Sequence, residues 1–192
     1  QDLGAVTERL RHVLEDDGYY QAEVEHRADR HPASQQLDLY FVVRAGTRAR
    51  LGEVHLTGGA SIPASKLLAE ADWEPGKSYT SSLVQNGLTR LRNLYRKENY
   101  LEAILTISGQ QFHRDTNRVD MEVSIEAGTP VQISLTGAEM DKNKLRELLP
   151  IYQEGTLDPD LLREGERNLR DYFESRGYFQ VEVTSRRSAS DA

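Results

Sequence analysis

Leu91-Arg92-Asn93-Leu94-Tyr95-Arg96-Lys97-Glu98-Asn99-Tyr100-Leu101-Glu102-Ala103 is the middle of three versions of one phrase. An earlier version runs from Leu10 to Ala22 and a later one from Leu169 to Val181, so successive copies start 81 and 78 residues apart. Such a period is too long for a solenoid repeat and suits a small domain. The chain therefore reads as a tandem array, and the repeated unit has to be understood before any function.

The first half of the phrase has helical spacing. Val84, Leu88, Leu91 and Tyr95 fall on one stripe, as do Val6, Leu10 and Val13 in the first copy and Leu162, Leu169 and Phe173 in the third. Gly18, Asn99 and Gly177 come next, each followed by a tyrosine: Tyr19, Tyr100 and Tyr178. Glycine and asparagine best tolerate the left-handed conformation that ends a helix. The period then switches to two, with Ala22 and Val24, with Ala103, Leu105 and Ile107, and with Val181 and Val183. Each copy thus predicts a helix, a left-handed cap beside an aromatic residue, and a strand.

Working outward, the middle copy is the complete one, over residues 50–129. Leu51 to Leu56 alternates as a strand that Thr57-Gly58-Gly59 ends. Ser61 is placed to cap a short helix carrying Leu67 and Leu68, with Pro63 in its first turn. Trp73-Glu74-Pro75-Gly76 is a loop, and Thr80 or Ser81 caps the second helix. A strand Leu101–Ile107 follows, then a polar connection from Ser108 to Asn117. Val119, Met121, Val123 and Ile125 then alternate with polar residues, as in a strand with one buried face. The order is β-α-α-β-β.

Residues 130–192 repeat the beginning. Val131, Ile133 and Leu135 alternate, Gly137 matches Gly58, Asp141 caps a helix with Leu145, Leu148 and Leu149, and Asp158-Pro159 opens a second one. A second strand is expected around 180–183, and no third strand is recognisable. Residues 1–49 have the opposite gap: a second helix, a strand from Gln21 to about Glu25, and a last strand bearing Leu37, Leu39, Phe41 and Val43. Ala45-Gly46-Thr47 and Ala127-Gly128-Thr129 close the first and middle copies, and these short junctions predict semi-rigid packing of neighbours.

Composition narrows the function. The 192 residues are 38% hydrophobic and 29% charged, enough for small cores, and the net charge of −7 with no basic stripe argues against nucleic acid. With no cysteine there are no disulfides, thiolate metal sites or Cys nucleophiles. No run reaches membrane-spanning length. The start at Gln1, without Met or a signal sequence, gives the chain the look of an excised piece or a processed product.

The β-α-α-β-β order, the Leu-x-x-x-Tyr-x-x-x-Gly-Tyr-Phe type of signature, the Thr-Gly after the first strand and the Ala-Gly after the last resemble POTRA domains. These polypeptide-transport-associated modules precede the membrane barrel in outer-membrane assembly factors of the BamA and TamA type. The resemblance covers nearly the whole chain, and Asn99 in place of the capping glycine departs from it. It implies an α+β fold of tandem modules, each a three-stranded mixed sheet under two antiparallel helices. It also implies a periplasmic location, attachment to the outer membrane through a barrel of the same chain, and no enzymatic activity. The implied partners are unfolded outer-membrane polypeptides and accessory periplasmic proteins or lipoproteins, held by β-augmentation. A two-partner secretion transporter or a cell-division-type membrane protein is the alternative home for such modules.

No cofactor, metal or small-molecule substrate is called for. His26 and His31 with Glu25 and Asp29 read as polar residues of a strand end and loop rather than as metal ligands, and His55 and His113 as surface residues. Thr57-Gly58-Gly59 reads as a turn rather than a phosphate nest, and Asp158 and Asp160 as helix-start signals rather than a catalytic pair. Gly18, Tyr19, Asn99, Tyr100, Gly177, Tyr178, Gly58, Gly137, Gly46 and Gly128 form the structural signature.

The functional candidate is the strand of Leu101, Glu102, Ala103, Ile104, Leu105, Thr106 and Ile107, which is apolar on both faces at Ile104. The matching strand of the first copy instead carries Glu23 and Glu25 outward. Edge strands normally carry charge against unwanted pairing. An apolar one is either a client edge or a surface packed on a neighbouring copy. In the family resembled, the third strand lies between the first two. The third copy is then expected to be loosely ordered, or completed by a strand from elsewhere such as Leu37–Val43 of a second chain.

Overall fold

The computed structural model describes residues 3–31, 33–59 and 62–186. By its internal contacts the chain forms two compact units, residues 1–91 with 105–125 and residues 92–104 with 126–192.

The first unit begins with α1 (Leu3–Asp16), β1 (Glu23–His31) and β2 (Gln36–Arg44). The two strands pair antiparallel from Glu23 opposite Arg44 to His31 opposite Gln36. β1 therefore runs past the expected end at Glu25, because β2 offers it a partner all the way to the turn. His26 and His31 are strand residues, not loop residues: His26 Nδ1 lies 3.0 Å from Thr7 Oγ1, and His31 pairs with Asp38 at 3.0 Å. Leu37, Leu39 and Val43 are exposed rather than buried, since among the described residues β2 pairs with β1 alone. In α1, Val6 and Leu10 are half-buried but Val13 is exposed, so the inward stripe continues through Leu14.

Next come β3 (Arg50–Gly58), α2 (Ala64–Ala71), α3 (Ser81–Lys97), β4 (Ile104–His113) and β5 (Arg118–Glu126). This is the expected β-α-α-β-β order. The sheet order is β3-β5-β4, with β3 parallel to β5 and β4 joined to β5 by the turn at residues 114–117. The last strand is thus the middle one, and the sheet is mixed. Val84, Leu88 and Leu91 of α3 are buried, as are Val119, Met121, Val123 and Ile125 of β5. Trp73 closes the other end, 1% exposed, with its indole N–H donating to Leu83 O at 3.3 Å.

Thr80 caps α3 by accepting from the Leu83 N–H at 3.0 Å. Pro63 immediately precedes α2, and Ser61 lies outside the described residues. The stretch from Ser108 to His113 is strand, not connection. An edge strand needs only one apolar face, so Gly-Gln-Gln reads as loop in sequence while still completing the ladder of β5. Two residues of β3, Gly52 and Glu53, stand against the single Asp120 where the register shifts between Leu51 and Val54. Asp120 accepts from the Glu53 N–H at 2.7 Å and from His113 at 2.8 Å. These bonds, the backbone one first, hold its carboxyl below the ordinary range. Gly59 donates to Ile125 O at 2.9 Å, so its N–H closes the turn after β3 rather than facing an anion.

The second unit is built on α4 (Lys142–Leu148), α5 (Ile151–Glu154) and α6 (Pro159–Glu174). Asp141 caps α4 by accepting from the Asn143 and Lys144 N–H groups, and Asp158 caps α6 by accepting from that of Asp160. Pro150 interrupts the expected single first helix and starts the separate turn α5. Leu101, Leu145, Leu149, Ile151 and Leu169 form the core. Val131, Ile133, Leu135 and Val183 pack against it, yet neither 131–135 nor 180–183 is a strand. Both were expected as strands. The middle strand that pairs with both partners in the complete sheet has no counterpart among the described residues here, so these segments have an apolar seat but no ladder.

Among the described residues no helix is long and apolar enough to cross a membrane.

Candidate functional site

The candidate edge lies on β4, with its boundaries moved. Leu101 and Glu102 form a turn before the strand, and Leu101 is 2% exposed in the core of the second unit. Leu101, Glu102 and Ala103 are thus not part of the edge, because the helix cap at Asn99 has to be completed before the chain can extend. From Ile104 onward the segment is strand. β4 is an edge strand of the sheet, Leu105 points into the core, and Ile104 is 57% exposed. Thr106 is exposed and Ile107 half-buried.

Within the first unit an open groove of about 560 Å³ runs along Ile107, Ser108, Gly109 and Gln110. Its far wall is the start of α3 (Ser81, Val84, Gln85), and one end is closed by Glu15 and Asp16 at the end of α1. Ser81 donates to Asp16 Oδ1 at 3.1 Å, fixing that end. The floor is aromatic. Tyr20 stacks on Phe112 with ring centroids 4.8 Å apart and meets Tyr79 at 6.0 Å. Burial raises both phenols above their ordinary value. Among the described residues, no three acidic or histidine side chains gather as a metal cluster.

The signature residues behave alike. Gly18, Asn99 and Gly177 have φ of 90°, 68° and 92°, each in the left-handed region just after a helix, and Gly46, Gly58, Gly128 and Gly137 are also at positive φ. Tyr19 carries the Arg48 guanidinium 4.9 Å over its ring, and Tyr100 packs edge-on to Tyr95. Asn99 adds what glycine lacks: its side-chain oxygen accepts from Arg146 at 2.7 Å. Sequence reasoning passed over Tyr20, Tyr79 and Phe112. The signal for Tyr20 was present, since Tyr20, Leu101 and Phe179 hold the same place in the three copies of the phrase.

The POTRA family model, described as "Surface antigen variable number repeat", matches residues 49–128 and 131–191. No curated protein matches the chain. Among solved structures, POTRA domains 3–5 of BamA from Haemophilus influenzae align at 14% identity over 94% of this chain and 71% of theirs, with a TM-score of 0.45. The N-terminal domain of Omp85 from Thermosynechococcus elongatus aligns at 16% identity over 94% and 75%, with a TM-score of 0.41. BamA from Haemophilus ducreyi lacking POTRA domains 1–3 aligns at 22% identity over 65% of this chain and 23% of its own, with a TM-score of 0.41.

Proposed function

The chain belongs to the POTRA family, and we propose that it is a periplasmic scaffold of an outer-membrane protein assembly factor that holds unfolded client polypeptides by strand addition to β4. It acts as three tandem modules, residues 1–49, 50–129 and 130–192, the outer two partial. It recruits accessory periplasmic proteins and works beside a membrane barrel of the same chain. The work is binding, not catalysis.

One observation carries the reading: β4 is an edge strand that presents Ile104 outward, where an edge normally presents charge. Main-chain hydrogen bonds from such an edge are indifferent to client sequence, as a broad clientele demands. The groove beside Ile107–Gln110 supplies room for alternate side chains of the added strand.

Ile104→Lys tests this. Leu105 is a core residue, so changing it confounds folding with binding, whereas Ile104 is exposed. The Lys variant should melt like the parent. It should bind an unfolded amphipathic strand peptide about tenfold more weakly, a difference of about 1.4 kcal/mol. Parental affinity in the folded variant contradicts the assignment of this edge.

A further inference from the structure

Three cations of the second unit line one pocket, and among the described residues no acid lines it with them. The pocket holds about 390 Å³ between Asn93, Arg96 and Lys97 on one side and Arg146, Tyr152 and Gln153 on the other. Elsewhere in this chain of net charge −7, arginines and lysines meet carboxylates. Arg27 meets Asp29, Arg44 meets Glu23 and Glu25, and Lys77 meets Asp72. Here the acid next to Arg146 in sequence, Glu147, is taken by Lys144 at 3.0 Å.

Neutral groups fix both guanidiniums. Arg96 Nη1 donates to Gln153 O at 2.8 Å and Nη2 to Glu154 O at 3.2 Å, carbonyls at the end of α5. Gly155 permits this approach: it stands at φ 70°, and a Cβ there would fall 2.6 Å from Arg96 Nε. Arg146 Nη2 donates to Asn99 Oδ1 at 2.7 Å, and its guanidinium lies 5.3 Å over the ring of Tyr152. None of these partners is charged, so they orient the cations without neutralising them. The bonds also use only part of each fork's donors. Arg96 and Lys97 lie in the last turn of α3 and Arg146 in that of α4, where cations offset the helix dipole. That accounts for each cation alone. It does not account for their sharing a pocket with no acid.

We propose that this pocket binds a phosphate group, carried by a lipid headgroup or by a soluble phosphate ester. A single carboxylate is satisfied by one guanidinium fork. Two forks and an ammonium suit an anion with more charge and more acceptor oxygens, which a phosphate has. The lining has one aromatic ring and no aliphatic side chain, so it seats the phosphate and not an acyl chain. The site uses no residue of β4, and its assignment does not depend on client binding there.

The test titrates the isotope-labelled full chain with inorganic phosphate at fixed ionic strength and follows the Arg96 and Arg146 Nε–H and the Lys97 amide by NMR. All three should shift together and saturate. Lys97→Glu changes an exposed residue outside both anchored forks, so the fold should survive while phosphate affinity falls several-fold. Arg9→Glu, the same charge change at an exposed position of α1, should leave the affinity unchanged. Sedimentation with phosphatidylcholine vesicles, with and without phosphatidic acid, identifies the source. Retention that needs both phosphatidic acid and Lys97 marks a headgroup, and phosphate shifts without retention mark a soluble ester. Neither shifts nor Lys97-dependent retention, or equal losses in the two variants, overturn the proposal. An oligoglutamate peptide that displaces phosphate at a lower concentration than phosphate itself needs would assign the pocket to acidic polypeptides and also overturn it.

Discussion

Gly87→Ala should destabilise the chain by about 1–3 kcal/mol, although in an ordinary exposed helix the same change gains about 0.8–1 kcal/mol. Gly87 lies in the interior of α3, and an added Cβ there would fall inside the indole of Trp73, against Nε1 and the fused ring. The indole has no room to withdraw. It is 1% exposed and tied by its N–H to Leu83 O, one turn earlier on the same helix. The local sequence thus gives up helix propensity so that the loop before α3 can insert its tryptophan. As this is the only tryptophan, its fluorescence reports the site directly. Denaturant midpoints of parent, Gly87→Ala, Trp73→Phe and the double variant, followed by circular dichroism because two of the four lack the tryptophan, measure the effect. The smaller ring should recover part of the loss as a positive coupling between the two sites. An unchanged or raised midpoint in Gly87→Ala contradicts the packing described.

Leu101→Ala should cost about 2–5 kcal/mol, the range for removing a fully buried leucine from a core that closes only partly over the gap. Leu101 packs with Leu145, Leu149, Ile151 and Leu169 in one buried cluster of the second unit. That unit has no strand ladder at 131–135 or 180–183 to fall back on. Its loss should therefore be cooperative, with α4 and α6 exchanging hydrogens together. Phe179→Ala, at the same place in the third copy, should change the midpoint by less than about 0.5 kcal/mol, as exposed substitutions do. Equal effects at the two positions would mean that burial is not what distinguishes them.

The fold was legible because its signals are local and repeated. The stripe Val84-Leu88-Leu91, the left-handed caps, and the alternation from Val119 to Ile125 each specify one element, and three copies cancel the ambiguity of any one. Asp141 and Asp158 announced their helices by the same short-range chemistry. Legibility ended where partners decide. The strand through Gly109, Gln110 and Gln111 is polar and becomes strand only because β5 lies beside it. Val131-Ile133-Leu135 alternates perfectly and is not a strand, because among the described residues no strand pairs with it. Leu101 reads as strand by alternation, yet the cap at Asn99 turns it into a core anchor. The groove was beyond reach for the same reason: Tyr20, Tyr79 and Ile107 are far apart in sequence, and only the folded chain brings them together.

The central claim is that clients add a strand to β4, and hydrogen exchange tests it most directly. An unfolded amphipathic strand peptide is added to the chain, and amide exchange is followed along β4 and along β3, the opposite edge of the same sheet. The account predicts slowed exchange at alternate amides from Ile104 to Gln110, those facing away from β5, with β3 unchanged. Exchange on β4 that stays at its free rate while the peptide is bound, or protection that appears on β3 instead, would contradict it.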